Sequence, residues 1–290
     1  MNRAALACAA ALVSAAVTLY ASPAHAFGGG FVRDSAICPT GKVVIGGGAQ
    51  VIGEGSADFL TVIQETAPGN VGGSPRAWMT AMKNNDLFNS HSLGLYAVCA
   101  DAPFSGHELV QRNVTVGGLG FRRTTVSCPA GKVSLSGGAT VVGEGSANFD
   151  TVIRESGPGN QPSSSSWLVA VENNSFSSHT IAITAVCANA PDGYQIVRED
   201  HALIGNSFLR DATSCPAGKV SIGGGMQVIG DGSADFGTKL QESSPGSTPS
   251  STAWTTAMRN GPDAHTIGTF VVCADEPDGY EIVRKRVTIN

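Results

Sequence analysis

The sequence predicts an all-β protein: three tandem disulfide-stapled units, each a β-sandwich or open barrel, in a form that allows pseudo-threefold symmetry. Three observations lead there. One stretch is written three times, every copy holds two cysteines, and apolar residues alternate with no long segment at helical spacing. The stretch at residues 38–69, CPTGKVVIGGGAQVIGEGSADFLTVIQETAPG, recurs at 128–159 and 215–246 without a gap. The units start at Phe31, Phe121 and Phe208, 90 and 87 residues apart. That period is too long for a propeller blade and long enough for a small stapled domain. The expected organisation is a signal peptide at 1–26 and β repeats at 27–120, 121–207 and 208–290.

The first 26 residues read as an export signal. Met1-Asn2-Arg3 supplies the positive start, residues 4–20 are an apolar run, and Ala24-His25-Ala26 is a cleavage signature. Six cysteines follow, and an even count in an exported chain reads as disulfides. Identical units should close identically, which predicts Cys38-Cys99, Cys128-Cys187 and Cys215-Cys273. Each closes a loop of roughly 60 residues and contributes about 4 kcal/mol in the chain-entropy model. A structural zinc site is disfavoured because the chain has no C-x-x-C pair. Charged residues make up only 14% of the chain and the formal charge is -5, with no basic cluster to meet phosphates, so a nucleic-acid partner is not expected.

Alternation then assigns the strands. From Lys42 to Ile52 the odd positions Val43, Ile45, Gly47, Ala49 and Val51 form the buried face, and Gly46-Gly47-Gly48 predicts a bulge where side chains would collide. Gly53-Glu54-Gly55-Ser56 reads as a turn closing a hairpin to a strand at 59–65. On that strand the face of Phe59, Thr61 and Ile63 is kept, with leucine for Ile63 in the third copy, while Leu60 and Val62 vary between copies, so the varying face is expected in solvent. Ala67-Pro68-Gly69 is expected to stop the strand. Trp78 opens the next one, with Thr80 and Met82 on its face, and His91, Leu93, Leu95, Ala97 and Cys99 share a face of the strand after it. A partly buried last strand follows a turn such as Pro191-Asp192-Gly193.

Polar positions retained in all copies carry the candidate chemistry. Ser56, His91 and Asp58 could form a hydrolase triad, but no G-x-S-x-G elbow occurs and Asn148 replaces Asp58 in the second copy, so no catalytic residue is assigned and a secreted hydrolase is the least favoured activity. His91, His179 and His265, each eight residues before a cysteine, are metal-ligand candidates if they meet on the axis. The competing reading is a hydrogen-bonded histidine at each strand start. Trp78, Trp167 and Trp254 are candidate sugar-stacking platforms, against the reading that they are core. Asp58, Asn148 and Asp235 are candidate ligand contacts in the turns, or solvated turn residues; with Glu54, Glu144 and Asp231 they fall short of calcium's six to eight oxygens. No cofactor is expected.

The pattern C-P-x-G-K-V-x-x-x-G-G, closed by Val98-Cys99-Ala100, resembles a domain of secreted proteins of high-GC bacteria that sometimes follows collagen-like repeats. The resemblance implies export and a stapled β-domain, and brings no catalytic residues. It also suggests that three copies in one chain imitate a trimer of single copies. The expected function is a non-catalytic extracellular binding protein for surface glycan or cell-envelope polymer, using three equivalent units. The alternative is a structural or adhesive protein without a small-ligand site. Neither reading needs a membrane span after signal cleavage.

Overall fold

The computed structural model describes residues 29–53, 60–143, 150–160, 162–230 and 237–290. All regular elements in them are strands, six per repeat. The first repeat gives β1 (Phe31–Ile37), β2 (Lys42–Ile52), β3 (Thr61–Val71), β4 (Ser74–Asn84), β5 (His91–Asp101) and β6 (Glu108–Val116). The second gives β7 (Phe121–Ser127), β8 (Val133–Val141), β9 (Thr151–Pro158), β10 (Ser166–Asn173), β11 (His179–Ala188) and β12 (Gln195–Leu203). The third gives β13 (Phe208–Ser214), β14 (Val220–Ile229), β15 (Lys239–Pro245), β16 (Ala253–Arg259), β17 (His265–Ala274) and β18 (Glu281–Ile289).

The strands form three open six-stranded sheets, ordered β1-β4-β3-β8-β11-β6, β7-β10-β9-β14-β17-β12 and β13-β16-β15-β2-β5-β18. Each sheet takes four strands from one repeat and two from the next, and the third repeat is followed by the first. This cyclic exchange is the pseudo-threefold arrangement. It is joined at three equivalent seams, where β3 meets β8 at Thr66↔Ala139, β9 meets β14 at Ser156↔Met226, and β15 meets β2 at Ser243↔Ala49. The predicted disulfides Cys38-Cys99, Cys128-Cys187 and Cys215-Cys273 are all present. Each ties the end of a strand in one sheet to a strand in another.

The glycine triplet is explained position by position. A Cβ at Gly47 would lie 2.4 Å from the Trp78 ring, and one at Gly48 would lie 1.7 Å from the Ser243 carbonyl across a seam. Gly46 meets the Ile222 carbonyl of the third repeat in the same way, at 2.1 Å. The expected bulge is present, with the β2–β5 register shifting between Val44 and Gly46. Ser136 replaces the first glycine in the second repeat, and its hydroxyl donates to the Ile45 carbonyl at 2.6 Å.

Three expectations are corrected. β2 and β3 do not pair as a hairpin, because they belong to different sheets, and residues 54–56 of the expected turn lie outside the described residues. The hairpin lies between β3 and β4, where Gly72 and Gly73 take φ of 60° and 80° between paired Val71 and Ser74, a two-residue turn that glycine accommodates without strain. Pro68 does not stop β3 but sits buried within it, paired with Trp78. Finally, the varying face is in solvent only at its outer end, where Leu60 and Lys239 are exposed; Val62, Gln64, Val152, Arg154 and Gln241 are buried. That face turns inward, where β3, β9 and β15 of the three repeats pack together. Three identical side chains cannot fill one axis, so the copies differ there for complementarity. Arg154 shows it, donating to the Thr238 carbonyl of the third repeat and pairing with Glu172.

Strand exchange makes a direct prediction for an isolated repeat. Residues 121–207 lack β3 and β6, the neighbours of β8 and β11, and lack β14, the neighbour of β9. We expect this fragment to be unfolded or trimeric by sedimentation, and a stable folded monomer would contradict the exchange.

Candidate functional site

The retained polar residues hold the ring together. Glu65 is fully buried, takes a bidentate pair from Arg33 at 2.6 and 3.0 Å, and accepts the Val141 amide of the second repeat at 2.5 Å. Glu155 repeats this with Arg123 and Val228, and Glu242 with Arg210 and Val51. A bulge just before each glutamate, such as the shift between Ile63 and Glu65, aims the carboxylate along the seam. Lys42, Lys132 and Lys219 likewise reach a carbonyl of the preceding repeat in the cycle, at Gly279, Gly106 and Gly193.

The histidine candidates do not converge. His91, His179 and His265 open β5, β11 and β17, one per sheet, and the three do not form a cluster of metal-ligating atoms. His179 Nε2 lies 3.0 Å from Ser175 Oγ, and His265 Nδ1 lies 2.8 Å from Asn260 Oδ1, which is the strand-start reading. The tryptophan candidates are corrected as well. Trp78, Trp167 and Trp254 are 1% exposed, and each indole N–H donates to a hydroxyl, of Thr66, Ser156 and Ser243 respectively. Packed against the glycine of each triplet, they are core and offer no sugar platform. Asp58, Asn148 and Asp235 lie outside the described residues, as do Ser56 and Glu54.

Accessible chemistry gathers at the end of the fold where β4 passes to β5 and its equivalents. A cleft of about 400 Å³ opens there between the first and third repeats. Lys239, Asn85 and Asn206 are exposed on its wall, Arg259 is half-buried, and Leu60, Val62 and Pro262 supply apolar surface. The equivalent corner between the first and second repeats is narrower, about 140 Å³, with Lys83 bonded to Asp150 at 2.9 Å on its wall. Leu60 and Asp150 hold φ of 55° and 53°, where the third repeat has Gly237. Such backbone is uncommon for leucine.

Two exposed rings stand at the same end. Phe88 is 92% exposed and Phe176 is 90% exposed, at the tips of the β4–β5 and β10–β11 loops. A buried asparagine organises each loop. Asn84 Nδ2 donates to the Asn89 carbonyl at 2.7 Å, and Asn173 Nδ2 to the Ser177 carbonyl at 2.7 Å. Asp86 also caps the first tip, and bonds from Asn89 and the Phe88 amide hold its carboxyl below the ordinary range. The retained asparagine is therefore structural, and the variable tip it holds is what faces solvent. Sequence reasoning passed over Phe88, Phe176, Lys239 and Arg259, although a phenylalanine in a short polar loop between alternating strands was a usable signal. No family model matches this chain, and no curated protein is similar to it.

Proposed function

We propose that this is a non-catalytic secreted binding protein whose loop end takes a segment of surface glycan or cell-envelope polymer. Three disulfides in an all-β fold, with no helix among the described residues long and apolar enough to cross a membrane, fit an extracellular protein. The observation that carries the reading is the cleft itself. Amide and cationic groups suited to sugar hydroxyls and carboxylates line it, and exposed aromatic rings suited to sugar faces stand at the same end. The three loop ends differ in sequence, so the reading rests on one composite site and not on three equal ones.

A structural or adhesive role is the second reading. Closure of the ring and its three staples favours it, and so does the resemblance to domains that follow collagen-like repeats, for which a trimer of single copies would have this form. Retention of the oxidised full chain on insoluble polysaccharides and bacterial cell walls separates the two. Lys239→Ala with Arg259→Ala, and Phe88→Ser with Phe176→Ser, should each lower retention at least tenfold while the melting temperature holds. Retention that neither pair of changes alters, or no retention at all, would leave the structural role.

A further inference from the structure

We propose that the junction of the second and third repeats, where β12 meets β13, carries a site for a divalent transition metal, formed by Glu199, His201 and Asp211. Their ligating atoms all lie within 4.8 Å of one another, and this is the one such cluster among the described residues. Residues two apart on a strand share a face, so β12 presents Glu199 and His201 together, and β13 brings Asp211 against them. His201 Nε2 stands 3.3 Å from Asp211 Oδ2. In a tetrahedral site with metal–ligand bonds of roughly 2.0–2.1 Å, neighbouring donors are about 3.3 Å apart. The two side chains are 24% and 26% exposed, open enough for an ion to enter.

Comparison with the equivalent junctions, β6 with β7 and β18 with β1, shows that the cluster is particular to this one. The registers His265↔Leu203, His179↔Val116 and His91↔Ile289 align the three last strands. On that alignment His201 stands where the others have Val114 and Val287, and Thr269 where they have Ile183 and Leu95. Thr213 likewise replaces Val126 and Ala36. A patch that is apolar at two junctions has become polar at this one. The charges have changed too. Asp211 corresponds to Asp34, and there Lys285 on the neighbouring last strand supplies a cation 2.7 Å away. Glu199 occupies the position of Lys285, so a second carboxylate replaces the ammonium. Where one junction builds in its own cation, the other gathers two carboxylates and an imidazole.

The same geometry argues against a catalytic triad. Thr269 Oγ1 is 3.3 Å from His201 Nε2, but Asp211 faces that same nitrogen, and Thr269 is 1% exposed. Thr269 instead receives a bond from Thr213 at 2.7 Å and donates to Asp211 at 3.3 Å, orienting the carboxylate from beneath. One nitrogen and two carboxylate oxygens suit zinc or another late first-row ion, with positions left for water. The site stands independently of the loop-end cleft.

The test is titration of the oxidised, EDTA-treated full chain with Co²⁺ and then Zn²⁺, followed by visible absorption and calorimetry. We expect one equivalent of Co²⁺ to bind, Zn²⁺ to displace it, and Zn²⁺ to raise the melting temperature. His201→Val and Asp211→Thr install the residues found at the equivalent β6–β7 junction, Val114 and Thr124, so both variants should fold. Each should weaken binding at least tenfold and remove the thermal shift. Absence of saturable binding in the unaltered protein, or binding that survives both changes, would overturn the site.

Discussion

Gly138→Ala should be among the most destabilising single methyl additions to the strands of this protein. A Cβ at Gly138 would lie 1.7 Å from the Thr66 carbonyl oxygen of the first repeat, and Gly48 and Gly225 make the same approach to Ser243 and Ser156 at 1.7 and 1.8 Å. Both partners are backbone in paired strands, so neither can turn aside as a side chain would. Overpacking commonly costs about 1–3 kcal/mol. Here the displaced strand also carries the Thr66↔Ala139 bridge and the Glu65 bond to Val141, so the loss should exceed about 3 kcal/mol. Gly131→Ala is the control. Its φ is 82° with nothing within 4 Å of the added carbon, so only backbone strain of about 1 kcal/mol applies. Urea unfolding should place the Gly138→Ala midpoint well below that of Gly131→Ala, and equal midpoints would mean that the seam is not closely packed.

These seams also mark the limit of what the sequence disclosed. Disulfide pairing was legible because it follows from repetition alone, and the Lys42–Ile52 strand because alternation reports burial wherever a strand is found. Strand exchange was not legible. An apolar face looks the same whether its partner comes from its own repeat or the next, and residues 53–56 carry turn chemistry while β2 and β3 part into different sheets. The varying face misled for a deeper reason. Comparison among copies treats difference as tolerance, but around a pseudo-threefold axis difference is what lets Gln64, Arg154 and Gln241 occupy one level. The tryptophans were ambiguous because an indole serves core and platform equally, and only the hydroxyl partners and burial decide. Their alternative, loop rings at Phe88 and Phe176, could not emerge from retained positions, because the third repeat has no phenylalanine in that loop.

Between pH 4.5 and 8 the unaltered protein should lose stability relative to its Glu242→Gln variant. The Glu242 carboxyl is fully buried, and burial pushes it from 4.5 up to about 7, against the opposing pull of the Arg210 charge and the Val51 amide. Burial raises the Glu65 carboxyl as well. A carboxyl raised in the folded state binds a proton that the unfolded chain has already released. Its stabilising contribution is therefore complete below the unfolded value near 4.5 and is lost as pH climbs through about 7. The change across that window is on the order of 2–3 kcal/mol for Glu242. His107 acts in the opposite sense. Its ring lies 2.9 Å from the Val44 carbonyl, burial lowers its affinity for a proton, and its contribution is lost as pH falls below 6.5. The total profile thus mixes the two, and the difference between the parent protein and Glu242→Gln isolates the seam. If the parent's advantage instead grows as pH rises, the carboxylate is ionised throughout and the seam is an ordinary ion pair. If it shrinks, the third seam is a hydrogen-bonded acid in mildly acidic surroundings, and the ring tightens there while a ring held by ionised pairs would loosen.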